Sequence, residues 1–355
     1  MESRVIESLG EYMEVISQIA GKGENEYKDS PKVLWFRGLS HVNHSLLPSL
    51  YRSDIKIEGN RSIRAYSAMH YAEDIRTQHY NAKNYHFFVK EPSSRVEWLE
   101  VMQHHGVRTR AMDWSESAIH SLMFALEPFF DDRKYRDEER RNTVPCVWIL
   151  EPGMLNKKIF EYLTDDKIIS AIFSEVDWKT KDKMERMLKA YKSDSAYFES
   201  RGTHHIDYIV NLSSINDEIL RDRIRIEKLL ASGEVIHPYY YMLARIYSDG
   251  LILDELRLPP LAVVHPYHSE RIKAQKGVFT IFPFYKKSEE ESFKYLAINQ
   301  DAMEYNEFAK KYLHKIVIRN PQKIAYELMA GGINVSWLYP EMPIVSNEIE
   351  FHRIY

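Results

Sequence analysis

Apolar residues recur at helical spacing at Val5, Leu9, Tyr12, Met13, Ile16 and Ile19, and glycines at 21 and 23 close the run, which predicts an amphipathic helix at the start of the chain. The period then changes. Over residues 31–38 a short apolar run (Val33, Leu34, Trp35, Phe36) is bounded by proline and glycine, the pattern of a buried strand, yet it ends on Arg37 and Gly38. From about residue 60 to residue 80, Ile63, Tyr66, Met69, Ala72 and Ile75 again mark one helical face. Ser94 and Glu97 have the spacing of a capping box, with Leu99 and Met102 on the buried side of the helix that follows and Gly106 at its stop. A short strand is expected over residues 109–113. Ser115 would then cap a second helix whose stretch 119–126 is almost all apolar and whose end precedes Pro128.

The second half alternates more loosely. "DDRKYRDEERRN" is too charged to pack and reads as a solvated loop ahead of "VPCVWIL", a core strand. Residues 155–235 are richer in charge and helical in pattern, which suits an insertion. "PPLAVVHPYHSERIKAQKGVFTIFPF" returns to strand, turn and strand. "AYELMAGGINVSWLYPEM" reads as a helix, a glycine stop and a last apolar stretch. The expected organisation is an N-terminal helix (1–30), a first core part (31–154), a helical insertion (155–235) and a second core part with the C-terminal segment (236–355).

Composition adds bounds. With 355 residues, 44% of them hydrophobic, the chain can bury a full core as one large domain or a domain with an insertion. A formal charge of −4 argues against a surface built wholly for nucleic acid and leaves room for a local basic cleft. The single cysteine, Cys146, excludes an intramolecular disulfide framework and a cysteine-rich zinc site, which fits a reducing compartment. The first residues lack the apolar core of a signal peptide, and no run approaches the roughly 18 apolar residues of a membrane span. The expectation is a cytoplasmic protein with no membrane partner.

Familiar sites are absent as motifs: no phosphate-loop Gly-Lys-Ser/Thr, no Gly-x-Ser-x-Gly elbow, no His-Glu-x-x-His helix. The histidine pairs at 41/44, 104/105, 204/205 and 265/268 lack a carboxylate or cysteine at diagnostic spacing, so no metal is expected. What stands out is a polar set on strands: Arg37, then Thr109, Arg110, Asp113 and Ser115, then Arg271 and Gln275. Charge beside apolar runs is costly to bury alone, so these groups either pair, as a structural Arg37–Asp113 bridge between strands, or line a cleft.

Two stretches, "WFRG…SLLPSLYR" and "QHHGVRTRAMDWSESAIHSLMFA", resemble the FRG domain, named for its Phe-Arg-Gly tripeptide. "RIKAQKGVFTIFP" and "GGINVSWLYP" are similar to further family segments, so the resemblance touches residues 31–130 and about 260–340. Its motif order is similar to that of ADP-ribosyltransferases: an Arg or His on one strand, a Ser/Thr-rich strand running into a helix, and usually a Glu at a third strand. Arg37 matches the first motif and "RAMDWSESAIHSLMFA" the second. At the third, near "AQKGVFTI", Gln275 stands where glutamate is usual.

The resemblance implies an α+β fold, a split, mainly antiparallel sheet flanked by helices with a helical insertion. It implies NAD as substrate and a toxin or phage-defence effector that transfers ADP-ribose to a macromolecule, RNA or protein, with an antitoxin protein as partner. In that chemistry the candidate carboxylates are Asp113 and, as a fallback, Glu270, while Gln275 would hold a hydroxyl. Arg37 and Gly38 would meet phosphate, Ser115 and Thr109 would contact the NAD from the second strand, and His104, His105, Tyr66 or Tyr80 would face or stack on the ligand. Arg108, Arg110, Tyr191 and Tyr197 are candidates for an RNA contact. A non-catalytic nucleotide- or partner-binding module is the alternative.

Overall fold

A long-range partner decides the first residues of the chain. Ser3–Ile6 is a strand, β1, because it finds β10 (Leu313–Ile318) alongside it in parallel, with Val5 opposite Val317. The predicted N-terminal helix therefore begins later, as α1 (Leu9–Ala20). Ser8 caps it by accepting from the Glu11 N–H at 3.2 Å, and Gly21, at φ 83°, ends it in a conformation that favours glycine. The computed structural model describes residues 3–21, 31–52, 107–130, 142–163, 258–264, 270–283 and 302–339, with short pieces at 55–57, 61–63, 102–103, 167–168, 210–211 and 246–247 and a few single residues.

The anomalous run forms β2 (Trp35–Leu39). A small hairpin follows, β3 (Ile55–Ile57) with β4 (Arg61–Ile63), so the helix expected from residue 60 does not start there; the rest of that segment lies outside the described residues. The next strand, β5 (Ala111–Ser115), sits two residues beyond its predicted place. Thr109 and Arg110 are used elsewhere. The Thr109 carbonyl accepts from Leu50, and the Arg110 guanidinium donates to the Phe282 carbonyl at 2.8 Å.

Helix α2 (Ala118–Phe130) is capped by Ser117, whose hydroxyl accepts from the His120 N–H at 3.3 Å, while Ser115 stays in the strand. Pro128 lies inside the last turn rather than beyond it. There its missing donor costs one bond, and the helix stops two residues later. The fully buried β6 (Cys146–Leu150) leads into α3 (Pro152–Leu163). The remainder of the expected insertion lies almost wholly outside the described residues. β7 (Val210–Asn211), β8 (Leu261–Val264), the one-turn α4 (Glu270–Ala274), β9 (Gly277–Ile281), β10 and α5 (Pro321–Ala330) complete the regular elements, with short 3₁₀ turns at Met303–Tyr305, Ala309–Tyr312 and Val335–Trp337.

Eight strands form one mixed sheet in the order β1-β10-β6-β2-β5-β9-β8-β7. The two outermost junctions are parallel and the inner ones antiparallel. One face carries Phe36, Val147, Ile149 and Ile316 under α1, α2 and α5, which contribute Tyr12, Leu122, Leu126, Ile324 and Leu328. The other face carries Trp35, Met112, Trp114 and Trp148 against Leu46, Leu50, Tyr51, Leu155 and Phe282. At roughly 1.5–3 kcal/mol for each large side chain buried, these two layers hold the sheet between them. Among the described residues no helix is long and apolar enough to cross a membrane.

Candidate functional site

The sheet is weakest at its centre. β2 pairs with β6 over five residues and β5 pairs with β9 over five, but β2 and β5 meet only at Phe36 and Ser115. Beyond that pair each strand follows its other neighbour and the two part. The opening is a cleft of about 420 Å³, within the range of small-molecule sites. Arg37, Gly38, Leu39 and Ser40 form one wall, Asp113, Trp114 and Ser115 the other. Ser121, Phe124 and Glu127, three residues apart on α2, supply a further side, and Arg271 on α4 and Gln275 just after it close in.

Gly38 is where α2 touches β2. A Cβ there would fall 1.8 Å from the Ser121 carbonyl oxygen and 2.7 Å from the Ala125 nitrogen, both helix backbone. The glycine of the tripeptide is thus required by helix-on-strand packing, and the close approach it permits is that of the chain itself.

Arg37 reaches across the opening. Its Nη1 donates to the main-chain oxygen of Asp113, where the β2–β5 ladder is not continued, and lies 3.9 Å from the Asp113 carboxylate. Both sequence readings of this pair hold together, since it bridges the two strands and lines the cleft. The Arg37 side chain is 18% exposed and that of Asp113 is 51% exposed, so the acid is the accessible partner. Burial pulls the Arg37 pKa below the ordinary guanidinium value, with Asp113 opposing the shift and Arg52 adding to it. It stays charged at neutral pH all the same. His44 also lines the cleft, and its pKa is lowered by burial, then by His41 and Arg52, which favours the neutral ring.

Ser115 and Gln275 act as struts. The Ser115 hydroxyl donates to the Gln275 carbonyl at 2.6 Å and accepts from the Ser117 N–H at 2.9 Å. The Gln275 side-chain N–H donates to the Leu338 carbonyl at 2.7 Å, which ties the residues after α5 to the cleft. Tyr339 continues that tie. The Arg271 guanidinium sits 4.6 Å over its ring, and Phe124 meets it edge-on at 6.3 Å.

The fold brings Arg37, Gly38, Asp113, Ser115, Arg271 and Gln275 to one cleft. Thr109 is fully buried and stands off it. The side chain of Glu270, and His104, His105, Tyr66, Tyr80, Tyr191 and Tyr197, lie outside the described residues. Sequence reasoning passed over three residues. Gln103, beside the two histidines of "QHHG", donates to the Asp113 carboxylate at 3.1 Å. Glu127 follows Ser121 and Phe124 at three-residue steps, a stripe that could have been read as a helix face. Arg52 acts electrostatically on Arg37 and His44, and no local pattern marks it.

Residues 32–134 match the FRG domain, a stretch that runs from just before β2 to just past α2 and holds Arg37, Gln103, Asp113 and Glu127. No curated protein and no solved structure matches the chain.

Proposed function

We propose that the cleft binds NAD and that the protein transfers ADP-ribose from it to a macromolecule, as an ADP-ribosyltransferase-like toxin or phage-defence effector. The observation that carries this reading is the confrontation of Arg37 and Asp113 where β2 and β5 part. A planar guanidinium can grip the pyrophosphate at two points. As the bond between nicotinamide and ribose C1′ breaks, its electron pair leaves with the nicotinamide and positive charge develops on the sugar. An accessible carboxylate beside C1′ stabilises that charge. The incoming nucleophile then bonds to C1′, and its proton passes to a carboxylate or to solvent.

Gln275, at the place where transferases usually put glutamate, has its N–H committed to Leu338. Asp113 and Glu127 are therefore the carboxylates assigned to the cleft chemistry. RNA and protein are the acceptor classes, and an antitoxin protein is the expected partner in the cell. A binding module without catalysis has one observation in its favour, namely that Arg37 is already engaged by Asp113 and must be released to meet a phosphate.

Incubation of the protein with adenylate-labelled NAD and a bacterial lysate tests the reading, with Arg37→Ala and Asp113→Asn alongside. Label should move to macromolecules, and each variant should lose on the order of 10²-fold or more of the transfer. Nuclease-sensitive label identifies a nucleic acid as acceptor, and protease-sensitive label a protein. If the wild-type protein neither transfers label nor consumes NAD, the transferase reading fails and the binding module stands.

A further inference from the structure

We infer that Gln103 is a positioning residue, the middle side chain of a one-way hydrogen-bond chain that orients the Asp113 carboxylate in the cleft. The inference rests on the transferase reading for its catalytic consequence and on geometry for the chain itself. The chain starts at a group that can only donate. The Ala111 N–H gives its proton to Thr109 Oγ1 at 3.2 Å, the Thr109 hydroxyl donates to Gln103 Oε1 at 2.7 Å, and Gln103 Nε2 donates to Asp113 Oδ2 at 3.1 Å.

The direction of this chain is fixed by chemistry. Thr109 is fully buried, and Gln103 Oε1 is the acceptor its hydroxyl meets. Turning the Gln103 amide over would leave that buried hydroxyl proton without its acceptor and would set an amide oxygen against a carboxylate oxygen. Ser49 reinforces the anchor, since its hydroxyl accepts from the Thr109 N–H at 3.2 Å. The result is an Asp113 side chain whose Oδ2 accepts from Gln103 and lies 3.9 Å from the Arg37 guanidinium, while half of the side chain remains exposed. A carboxylate so held suits electrostatic stabilisation of a cationic sugar better than proton donation. Thr109, which sequence placed among ligand contacts, acts one step behind Gln103 instead.

The isosteric change Gln103→Glu keeps an acceptor for Thr109 but turns an oxygen toward Asp113 Oδ2. With NAD consumption as the readout, kcat should fall about 10–100-fold while KM stays within about threefold, the pattern of an interaction felt mainly in the transition state. Thr109→Ser, which retains the hydroxyl, should turn NAD over about tenfold faster than Thr109→Val. Unchanged kcat in Gln103→Glu, or equal rates in the two Thr109 variants, overturns the positioning role.

Selective ¹⁵N labelling of glutamine separates this inference from the transferase reading. The Gln103 side-chain amide should resonate downfield in the wild type and move upfield in Asp113→Ala. An amide that ignores Asp113 refutes the chain whatever the activity. A responsive amide in a protein that leaves NAD intact keeps the chain and refutes the transfer.

Discussion

Arg37 and Gly38 are neighbours with opposite tasks. The arginine faces the cleft across from Asp113, and the glycine makes room for α2 at its back. Gly38→Ala would drive a methyl group to 1.8 Å from the Ser121 carbonyl, a backbone atom in a buried helix that cannot simply rotate away. We expect a loss of about 3 kcal/mol or more and a melting temperature lower by roughly 4 °C or more, read by calorimetry. A variant that melts with the wild type would mean that α2 does not sit against β2. At this scale the sequence announced Arg37, because a guanidinium ending an apolar run has to find a partner. It was silent on Ser121, whose partner Gly38 lies far along the chain, and on Gln103, whose partners Thr109 and Asp113 are near in sequence but are reached only through the turn between them.

Elements are joined here by side chains that imitate backbone. Asn156 on α3 donates to the Ala262 carbonyl at 2.8 Å and accepts from the Ala262 N–H at 2.9 Å, and all of it is buried. It serves the edge of β8 one residue before β7 begins to pair, at Val263. Asn156→Leu removes both bonds and strands two buried main-chain groups, at a cost of about 2–4 kcal/mol. In urea the midpoint should fall at unchanged slope, and the Ala262 amide should exchange fast while β6 amides stay protected. Protection at Ala262 equal to the wild type would contradict the docking. Strands β2, β6, β8 and β9 were legible as apolar runs. β1 was not, because its pairing with β10 spans almost the whole chain and left only a weak, helix-like local pattern.

Across the whole molecule, Glu151 ties three separate stretches together. Placed between β6 and α3, it takes Lys32 at 3.1 Å from the segment before β2 and His314 at 2.8 Å from β10. Burial alone would raise its pKa, but hydrogen bonds and charge from His314 and Lys32 outweigh burial and hold it below the ordinary carboxylate range. A depressed acid pKa contributes stability that is full above the unfolded-state value, about 4.3, and is lost as pH falls through the folded value. Melting temperature should therefore drop below about pH 4.5 in the wild type, and Glu151→Gln should melt lower at pH 7 with a flatter acid limb. Parallel acid limbs for the two proteins would remove Glu151 from the account.

Local pattern by itself determined the core strands β2, β6, β8 and β9, the buried α2, the polar set around Arg37 and Asp113, and a stretch recognisable as an FRG domain. These are properties of burial along one dimension, and a run of apolar residues with one charge misplaced records them directly. The tertiary structure alone decided that β2 and β5 share a single pair before parting, that Gly38 yields to a helix, and that a glutamine lining the cleft donates to the acid. The first two depend on register and distance between segments tens of residues apart, and the third on how the chain turns between Gln103 and Asp113, ten residues on, and no spacing of apolar positions carries that information.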